Sequence, residues 1–289
     1  MSLLNITTLA QELPVVISSG SDALQTNNQK HQITAITRGV SSNIAACELT
    51  YRCRERIDYE NAAMQLQDYC ALLRKYGVEV VTVPASPSYP DCCFVQDAAV
   101  VLDEICVVGS MGAPARRGEV TEVEKILAPY RRIEHILLPA TLDGGDVVPV
   151  GRTIFVGLSR RTNGRGIESF AKIVDAFGYK VVPVNVRGGL HLTTACGVVD
   201  DETLILNPRW IDASAVKGVR QLYVPEDEPW SANMIRIDEV ICIEKGAPRT
   251  VELVEPYNDR IEILDISEFR KAEGSLSCLS IIFKENLKD

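Results

Sequence analysis

Several stretches of the chain repeat one pattern of apolar and polar residues. KYGVEVVTVP (75–84) and AFGYKVVPVN (176–185) each read as the end of a helix, a glycine that stops it, and a β-branched strand. Helical patterns precede such strands at 57–77, 119–129, 164–177 and 247–257. The pattern predicts an α/β protein built from helix, glycine stop, strand, polar turn and two-stranded hairpin.

These units return at intervals of roughly 45 residues. A fixed period of this length is typical of repeat architectures, in which each unit buries its apolar face against its neighbours. A generic α/β sandwich, whose units resemble one another by coincidence, is the alternative.

A polar turn precedes each hairpin, and five of these turns share the period. They contain Asp97, Asp143, His191, Asn233 and Cys278, at separations of 46, 48, 42 and 45 residues. If each unit is one blade around a common axis, equivalent positions face one another at the centre. The spacing therefore predicts a five-unit, pseudo-symmetric α/β propeller whose central pocket gathers carboxylates, an imidazole and a thiol.

Each of these residues has a more ordinary explanation when it is taken alone. Cys278 could be a small buried hydrophobe, and His191 a hydrogen-bonded core histidine. The DGGD sequence at 143–146 could be only a turn. The common spacing makes coincidence a poor explanation, because together the turns supply the parts of one thiol site.

A cysteine, a histidine and carboxylates in one pocket suit nucleophilic catalysis. The thiolate is the reactive form, and its pKa falls near a positive charge, which a cationic substrate would supply. Carboxylates bind a guanidinium through paired hydrogen bonds, because this group is a planar fork of donors. A histidine can protonate a departing amine and then deprotonate water. This chemistry requires no metal and no cofactor, and none is predicted.

Composition narrows the class of protein. Hydrophobic residues make up 46% of the 289 positions, charged residues make up 24%, and the net charge is −9. An acidic chain argues against a nucleic-acid partner, because such proteins carry basic faces. No membrane span or leader peptide is predicted, since no apolar run is long enough and the N-terminus lacks a basic region. Nine cysteines without a CxxC pair favour neither disulfides nor zinc, so a cytoplasmic location is expected.

The chain is predicted to consist of an N-terminal extension and a single domain. Residues 1–30 are polar and without a clear period, and we expect a flexible N-terminal extension there. Residues 31–289 are expected to form a single catalytic α/β-propeller domain.

The polar turns resemble the motifs of a known family. The similar segments, in order, are PDCCFVQD (90–97), TLDGGDV (141–147), GLSRRTN (157–163), LHLTT (190–194) and SLSC (275–278). They resemble dimethylarginine dimethylaminohydrolases, of the guanidino-group-modifying superfamily, and the match runs from about residue 31 to Phe283. The resemblance implies a propeller of the pentein type and hydrolysis of methylated arginine to citrulline and an alkylamine, within arginine metabolism.

The resemblance also implies roles for single residues. Cys278 would attack the guanidinium carbon and form a covalent thiouronium, while His191 would act as general acid and base. Asp143 would hold the guanidinium and orient the histidine. The further substrate-binding residues that the match implies are Asp97 at the guanidinium, Asp91 at the α-amine, Arg161 at the carboxylate, Gln96 and Glu273. The segment 37–50 falls where the family has its mobile lid.

Three positions depart from the family pattern. Gln96 stands where the family usually has Glu, Ser110 where it has an arginine that shares the substrate carboxylate, and Glu273 where it has Asp. Losing one charged donor from a carboxylate clamp costs about 1.5–3 kcal/mol, or roughly ten- to a hundred-fold in affinity. The same chemistry on a different guanidino or amidino compound is therefore an alternative to methylated arginine.

Three other functions stay open. An amidinotransferase would pass the amidino group to an amine instead of water. A non-catalytic binding propeller would need no reactive thiol, and the presence of Cys278 and His191 argues against it. A thiol-redox role would need a resolving cysteine near Cys278, and no neighbour in sequence provides one. The predicted partner is a small cationic guanidino compound, and a homodimer is compatible with the chain.

Overall fold

The computed structural model describes residues 32–258 and 260–285, so the predicted extension over 1–30 lies outside the described residues. In this part, fifteen strands form five three-stranded sheets. The strands are β1 (Ile33–Arg38), β2 (Glu79–Val83), β3 (Ala99–Val101), β4 (Ile105–Val108), β5 (Arg132–His135), β6 (Val147–Val150), β7 (Thr153–Leu158), β8 (Lys180–Asn185), β9 (Cys196–Val198), β10 (Thr203–Leu206), β11 (Arg220–Tyr223), β12 (Met234–Ile237), β13 (Val240–Glu244), β14 (Ile261–Leu264) and β15 (Ser280–Lys284).

Helices connect and flank these strands. They are α1 (Tyr59–Lys75), α2 (Val120–Leu127), α3 (Gly164–Asp175), α4 (Pro248–Val254) and α5 (Ser267–Lys271). Among the described residues, no helix is both long and apolar enough to cross a membrane.

All five sheets follow one plan. In each, an inner strand runs antiparallel to the middle strand, which runs parallel to the outer strand. We number the modules by their polar turns: module one (β3-β4-β5), two (β6-β7-β8), three (β9-β10-β11), four (β12-β13-β14) and five (β15-β1-β2). This arrangement confirms the predicted five-unit α/β propeller.

Module five is built from both ends of the described chain. β1 pairs antiparallel with β15, with Ile36 opposite Ile281 and Ala35 opposite Ile282. Cys278 lies two residues before β15, so the pairing of the two chain ends also holds the turn that carries this cysteine. The position of the thiol thus depends on closure of the ring.

Local signals explain where the helices begin and end. Asp58 caps α1 by accepting a hydrogen bond from the Asn61 amide at 3.1 Å. Gly77 and Gly178 follow α1 and α3 with φ of +78° and +76°, so the predicted glycine stops are confirmed. Module three differs, because only a 3₁₀ turn at Ala213–Ala215 separates β10 from β11.

The apolar core lies between helices and neighbouring sheets. Phe170 and Val174 of α3, for example, are buried in one cluster with Ile154 of β7 and Ile105 of β4. The cluster therefore joins module two to module one, as expected when a repeat unit cannot bury its apolar face alone.

We expect Phe283→Ala to destabilise the whole ring. Phe283 of β15 is buried and packs edge-on against Tyr130, with 5.2 Å between ring centroids. Truncating a buried phenylalanine costs about 3–5 kcal/mol, which urea unfolding would measure. The control is Tyr223→Ala in β11, whose side chain is 51% exposed, and its cost should stay below about 1 kcal/mol. Equal losses in the two variants would contradict the role given to the closing strand.

Candidate active site

The polar turns meet in one pocket. Four of them contain a 3₁₀ turn, at Val95–Ala98, Gly144–Asp146, Leu192–Thr194 and Ser277–Leu279. The pocket between them has an open space of about 280 Å³. Six of the eight predicted site residues line it, namely Asp91, Asp97, Arg161, His191, Glu273 and Cys278.

His191 is held between two carboxylates. Its Nε2 lies 3.0 Å from Asp143 Oδ2, and its Nδ1 lies 3.6 Å from Asp97 Oδ1. Burial alone would lower the pKa of His191, but Asp97, Asp146 and Asp143 outweigh it and raise the pKa to about 9. The imidazole is therefore protonated at neutral pH, in the form that can donate a proton.

Arg116 holds the outer side of Asp97. Its Nη1 lies 2.6 Å from Asp97 Oδ2, while its Nη2 contacts Glu119 at 2.8 Å. Burial alone would raise the pKa of Asp97, but the positive charges of His191 and Arg116 lower it below its usual value. Asp97 Oδ1 is buried and has no hydrogen-bond partner within residues 32–258 and 260–285, although His191 Nδ1 lies 3.6 Å away. Asp97 thus offers one charged oxygen that can still accept a hydrogen bond.

Cys278 shares the pocket with His191. Burial, followed by the charge of Asp97, raises the pKa of the Cys278 thiol to about 12. The cysteine is therefore a neutral thiol in the unliganded site. It needs an added positive charge nearby before the thiolate is populated at neutral pH.

Asp143 lies behind His191 and does not line the pocket. It is fully buried, and its Oδ1 accepts a hydrogen bond from the Gly112 amide at 2.8 Å. Its Oδ2 faces His191 and is 3.8 Å from Arg161 Nη1. The contact with the imidazole matches the orienting part of its predicted role, whereas its contact with a guanidinium stays a prediction.

Three charged residues lie elsewhere along the lining. Asp91 accepts a hydrogen bond from the Glu48 amide at 3.1 Å. Arg161 Nη1 is buried, and among the described residues it has no hydrogen-bond partner. Glu273 Oε1 accepts from the amides of three successive residues, Thr50, Tyr51 and Arg52, at 2.9, 2.5 and 2.6 Å. Glu273 Oε2 is buried and has no hydrogen-bond partner in the part of the chain that the structure describes. The pocket therefore has charged acceptors and a cationic donor with hydrogen-bonding capacity to spare.

Two of the departures from the family pattern lie outside the pocket lining. Gln96 Oε1 accepts a hydrogen bond from Ser277 Oγ at 3.1 Å, directly behind the turn of Cys278. Ser110 accepts a hydrogen bond from the Leu142 amide through its backbone carbonyl at 3.0 Å. Substrate binding by Gln96 stays a prediction, since the structure gives this side chain a contact one layer behind the lining.

The DGGD segment is more than a turn. A Cβ on Gly144 would lie 2.1 Å from the Gln96 carbonyl, and one on Gly145 would lie 2.6 Å from Asp97 Oδ1 and 2.9 Å from His191 Nδ1. Asp146 accepts a hydrogen bond from the Leu192 amide at 2.8 Å and another from Ser159 Oγ at 2.6 Å. The two glycines let this turn approach the turns of Asp97 and His191. Asp146 links the turn of His191 to the loop of Arg161.

Sequence reasoning missed the contribution of Arg116. It lies in the segment VGSMGAPARR (108–117), in which the family resemblance singles out only Ser110. An arginine outside the polar turns carries no periodic signal. Its only visible cue is the glutamate three residues later, with which it pairs in the structure.

One cluster also has the residue types of a metal site. Asp97, Asp143 and His191 each offer one ligand atom, and these three atoms lie within 4.8 Å of one another. A metal would need the ring nitrogen in its neutral form, and without a metal the two carboxylates beside the ring favour its protonated form. The protonated ring suits an acid–base histidine.

Comparison with known proteins identifies the family. The family model described as eukaryotic N,N dimethylarginine dimethylhydrolase matches residues 37–222. A dimethylarginine dimethylaminohydrolase of Streptomyces coelicolor is 32% identical over 253 residues, covering 87% of this chain and 97% of the relative. The chain belongs to the dimethylarginine dimethylaminohydrolase family. The resemblance seen in the motifs is thereby confirmed.

Solved structures of dimethylarginine dimethylaminohydrolases share the fold. The enzyme of Pseudomonas aeruginosa, as a cysteine-to-serine variant complexed with citrulline, matches with a TM-score of 0.81 at 27% identity, over 88% of this chain and 99% of that one. A variant with a histidine replaced by glycine, as an adduct with S-methyl-L-thiocitrulline, matches with a TM-score of 0.83 at 27% identity, over 88% and 100%.

We expect Gly145→Ala to lower activity by about 100-fold, because the new methyl group displaces Asp97 or His191 and small misplacements are costly in catalysis. The measurement is the rate of C–N bond hydrolysis. The matched control is Gly164→Ala at the start of α3, where an added Cβ meets nothing within 4 Å. A Gly145→Ala variant as active as this control would contradict the steric account.

The raised pKa of His191 predicts a pH-dependent stability. Its folded pKa of about 9 exceeds the unfolded value near 6.5. The stabilising contribution is therefore fully present below about pH 6.5 and is lost as pH rises through about 9. The difference in melting temperature between wild type and His191→Gln should shrink over this range. A difference that stays constant from pH 6 to 10 would contradict the assigned charge state.

Proposed function

We propose that this protein hydrolyses a C–N bond of a substituted guanidine, with methylated arginine converted to citrulline and an alkylamine. The single observation that carries the proposal is a buried thiol, Cys278, in one pocket with a carboxylate-flanked, protonated His191. The names of the relatives agree with this chemistry, since they are dimethylarginine dimethylaminohydrolases.

The free carboxylate oxygens suit a guanidinium. Asp97 Oδ1 and Glu273 Oε2 are both buried and have no hydrogen-bond partner within the described residues. A buried charged acceptor that lacks a hydrogen bond costs more than about 1–3 kcal/mol. A planar, cationic fork of donors satisfies such acceptors with paired, charge-assisted hydrogen bonds. In this proposal Asp97 binds the guanidinium of the substrate.

Substrate charge also activates the nucleophile. The thiol of Cys278 has a pKa of about 12 in the empty site, chiefly because it is buried. A guanidinium beside it lowers that pKa, since an adjacent cation favours the thiolate. The reactive form therefore arises when the substrate is bound, which protects the thiol from other electrophiles.

Two covalent steps follow. Cys278 Sγ forms a bond to the guanidinium carbon, His191 donates its proton to the departing nitrogen, and the C–N bond breaks to leave a thiouronium and the alkylamine. Neutral His191 then takes a proton from water, whose oxygen bonds to the same carbon. The C–S bond breaks to leave the thiolate of Cys278 and O-protonated citrulline, whose proton returns to the thiolate. The proton that the Cys278 thiol loses to solvent before its attack is taken up by the released alkylamine, which becomes an ammonium ion.

The amino-acid end of the substrate is assigned to two residues. Arg161 Nη1 is buried and has no hydrogen-bond partner within the described residues, so it would bind the substrate carboxylate. The buried carboxylate of Asp91 would bind the α-amine. Ser110 supplies no second cation, so Arg161 would hold the carboxylate alone. A homodimer and a cytoplasmic location stay predictions.

We expect wild-type protein to release citrulline and dimethylamine from asymmetric dimethylarginine. Cys278→Ser should lower this rate at least about 10³-fold, because the covalent route is lost. The matched control is Cys196→Ser, which replaces another buried cysteine, in β9. It should keep activity within about threefold.

The substrate panel should include monomethylarginine, arginine and alkylguanidines without a carboxylate. Turnover of alkylguanidines as fast as of dimethylarginine would refute the role of Arg161. Faster transfer to an added amine than to water would replace hydrolysis by amidino transfer. No product from any compound, or Cys278→Ser as active as Cys196→Ser, would overturn the proposed function.

A further inference from the structure

Asn233 lies in the polar turn of module four. The other four modules carry Asp97, Asp143, His191 and Cys278 at the equivalent position. Asn233 is 3% exposed, and it is absent from the residues that line the pocket. Its Nδ2 donates to the Thr193 carbonyl at 2.8 Å and to Ser277 Oγ at 2.7 Å. Its Oδ1 accepts from the Ser277 amide at 3.1 Å. Both ends of the side-chain amide are thus engaged.

These partners belong to the turns that carry the reacting groups. Thr193 follows His191 by two residues, and Ser277 directly precedes Cys278. Ser277 Oγ in turn donates to Gln96 Oε1 at 3.1 Å, and Gln96 directly precedes Asp97. One amide therefore ties together, from behind, the turns of the imidazole, the thiol and the guanidinium-facing carboxylate.

The direction of each hydrogen bond follows from chemistry. The Thr193 carbonyl can only accept and the Ser277 amide can only donate, so the Asn233 side chain has one possible orientation. Ser277 Oγ accepts a hydrogen bond from Asn233 Nδ2 and donates its own hydrogen bond to Gln96 Oε1. A carboxylate at position 233 would turn an oxygen toward the Thr193 carbonyl and lose both donated bonds.

We infer that Asn233 is a positioning residue that sets Cys278 against His191, an inference that rests on the proposed function. The amide joins module four to modules three and five at the centre of the ring. Nucleophile and general acid come from different modules, so their separation depends on such a link. Misplacement of reacting groups by about 1 Å can cost about 100-fold in rate.

The competing explanation is that Asn233 only stabilises the fold. A comparison with Asn207 distinguishes this explanation from a positioning role. Asn207 is also a buried asparagine, 2% exposed, whose Nδ2 donates to the Pro229 carbonyl at 2.6 Å. Its Oδ1 accepts from the Arg209 amide at 3.0 Å. It offers a similar side-chain amide whose hydrogen bonds go to backbone groups outside the turns of Cys278 and His191. Its own backbone amide donates to the Ala195 carbonyl at 2.9 Å, which the substitution to alanine leaves in place.

The experiment compares Asn233→Ala with Asn207→Ala in the full chain. Both should lower the melting temperature. Only Asn233→Ala should lower kcat for dimethylarginine, by about 10- to 100-fold with KM changed less than about threefold, because binding groups stay while the reacting pair is misplaced. It should also change the rate of Cys278 alkylation by iodoacetamide, followed by peptide mass spectrometry, more than about threefold.

The outcomes are distinguishable. Equal kcat and equal alkylation rates in the two variants would overturn the inference while leaving the proposed function intact. If wild type turns over no guanidine, the proposed function fails, and the alkylation rates still decide whether Asn233 positions the thiol. Should Asn233→Ala not fold, Ser277→Ala serves instead. It should lower kcat about 3- to 10-fold with KM retained, and an unchanged kcat would overturn the inference.

Discussion

The central pocket depends on a line of four buried charges that runs from Arg116 through Asp97 and His191 to Asp143. A buried charge without a partner is costly, and removing one member of such a set leaves its neighbour exposed to that cost. Asp97 and Arg116 belong to module one, Asp143 to module two and His191 to module three. The same electrostatic contacts therefore hold three modules together and set the proton affinity of the histidine.

Some buried side-chain atoms near this line of charges make no hydrogen bond to the described residues. Four buried side-chain atoms in the described part of the chain have no hydrogen-bond partner, and three of them belong to residues that line the pocket. They are Asp97 Oδ1, Arg161 Nη1 and Glu273 Oε2. Folded proteins satisfy nearly all such atoms, so their concentration at one place is what a polar, partly cationic ligand with a carboxylate requires.

Two of the residues that depart from the family pattern, Glu273 and Gln96, make hydrogen bonds around this site. Glu273 has a φ of +59°, a left-handed conformation that costs a residue with a side chain about 1–2 kcal/mol. Three backbone amides from residues 50–52 donate to its carboxylate and offset that cost. Neutral Gln96 accepts from Ser277 without bringing another negative charge toward Cys278, whose thiolate is already disfavoured by burial and by Asp97.

Much of this architecture was predictable from the sequence, and the parts that were not share one cause. The period of the polar turns predicted the ring and brought Cys278, His191 and Asp97 to its centre, because every module places equivalent residues at the same distance from the axis. Helix ends at Gly77 and Gly178 were predictable too, since a left-handed stop is a local property of the backbone.

By itself the sequence determined which modules exist and which reactive groups reach the hub. Only the tertiary structure decided that Arg116 neutralises Asp97, that Asp143 and Gln96 lie behind the pocket lining, and that Asn233 links the turns of Cys278 and His191. A repeat period specifies how far a residue lies from the axis. It does not specify the side-chain partner, because that partner is selected by packing and by the need to pair buried charges. The partner can come from another module, as for Asn233, or from a segment outside the polar turns, as for Arg116.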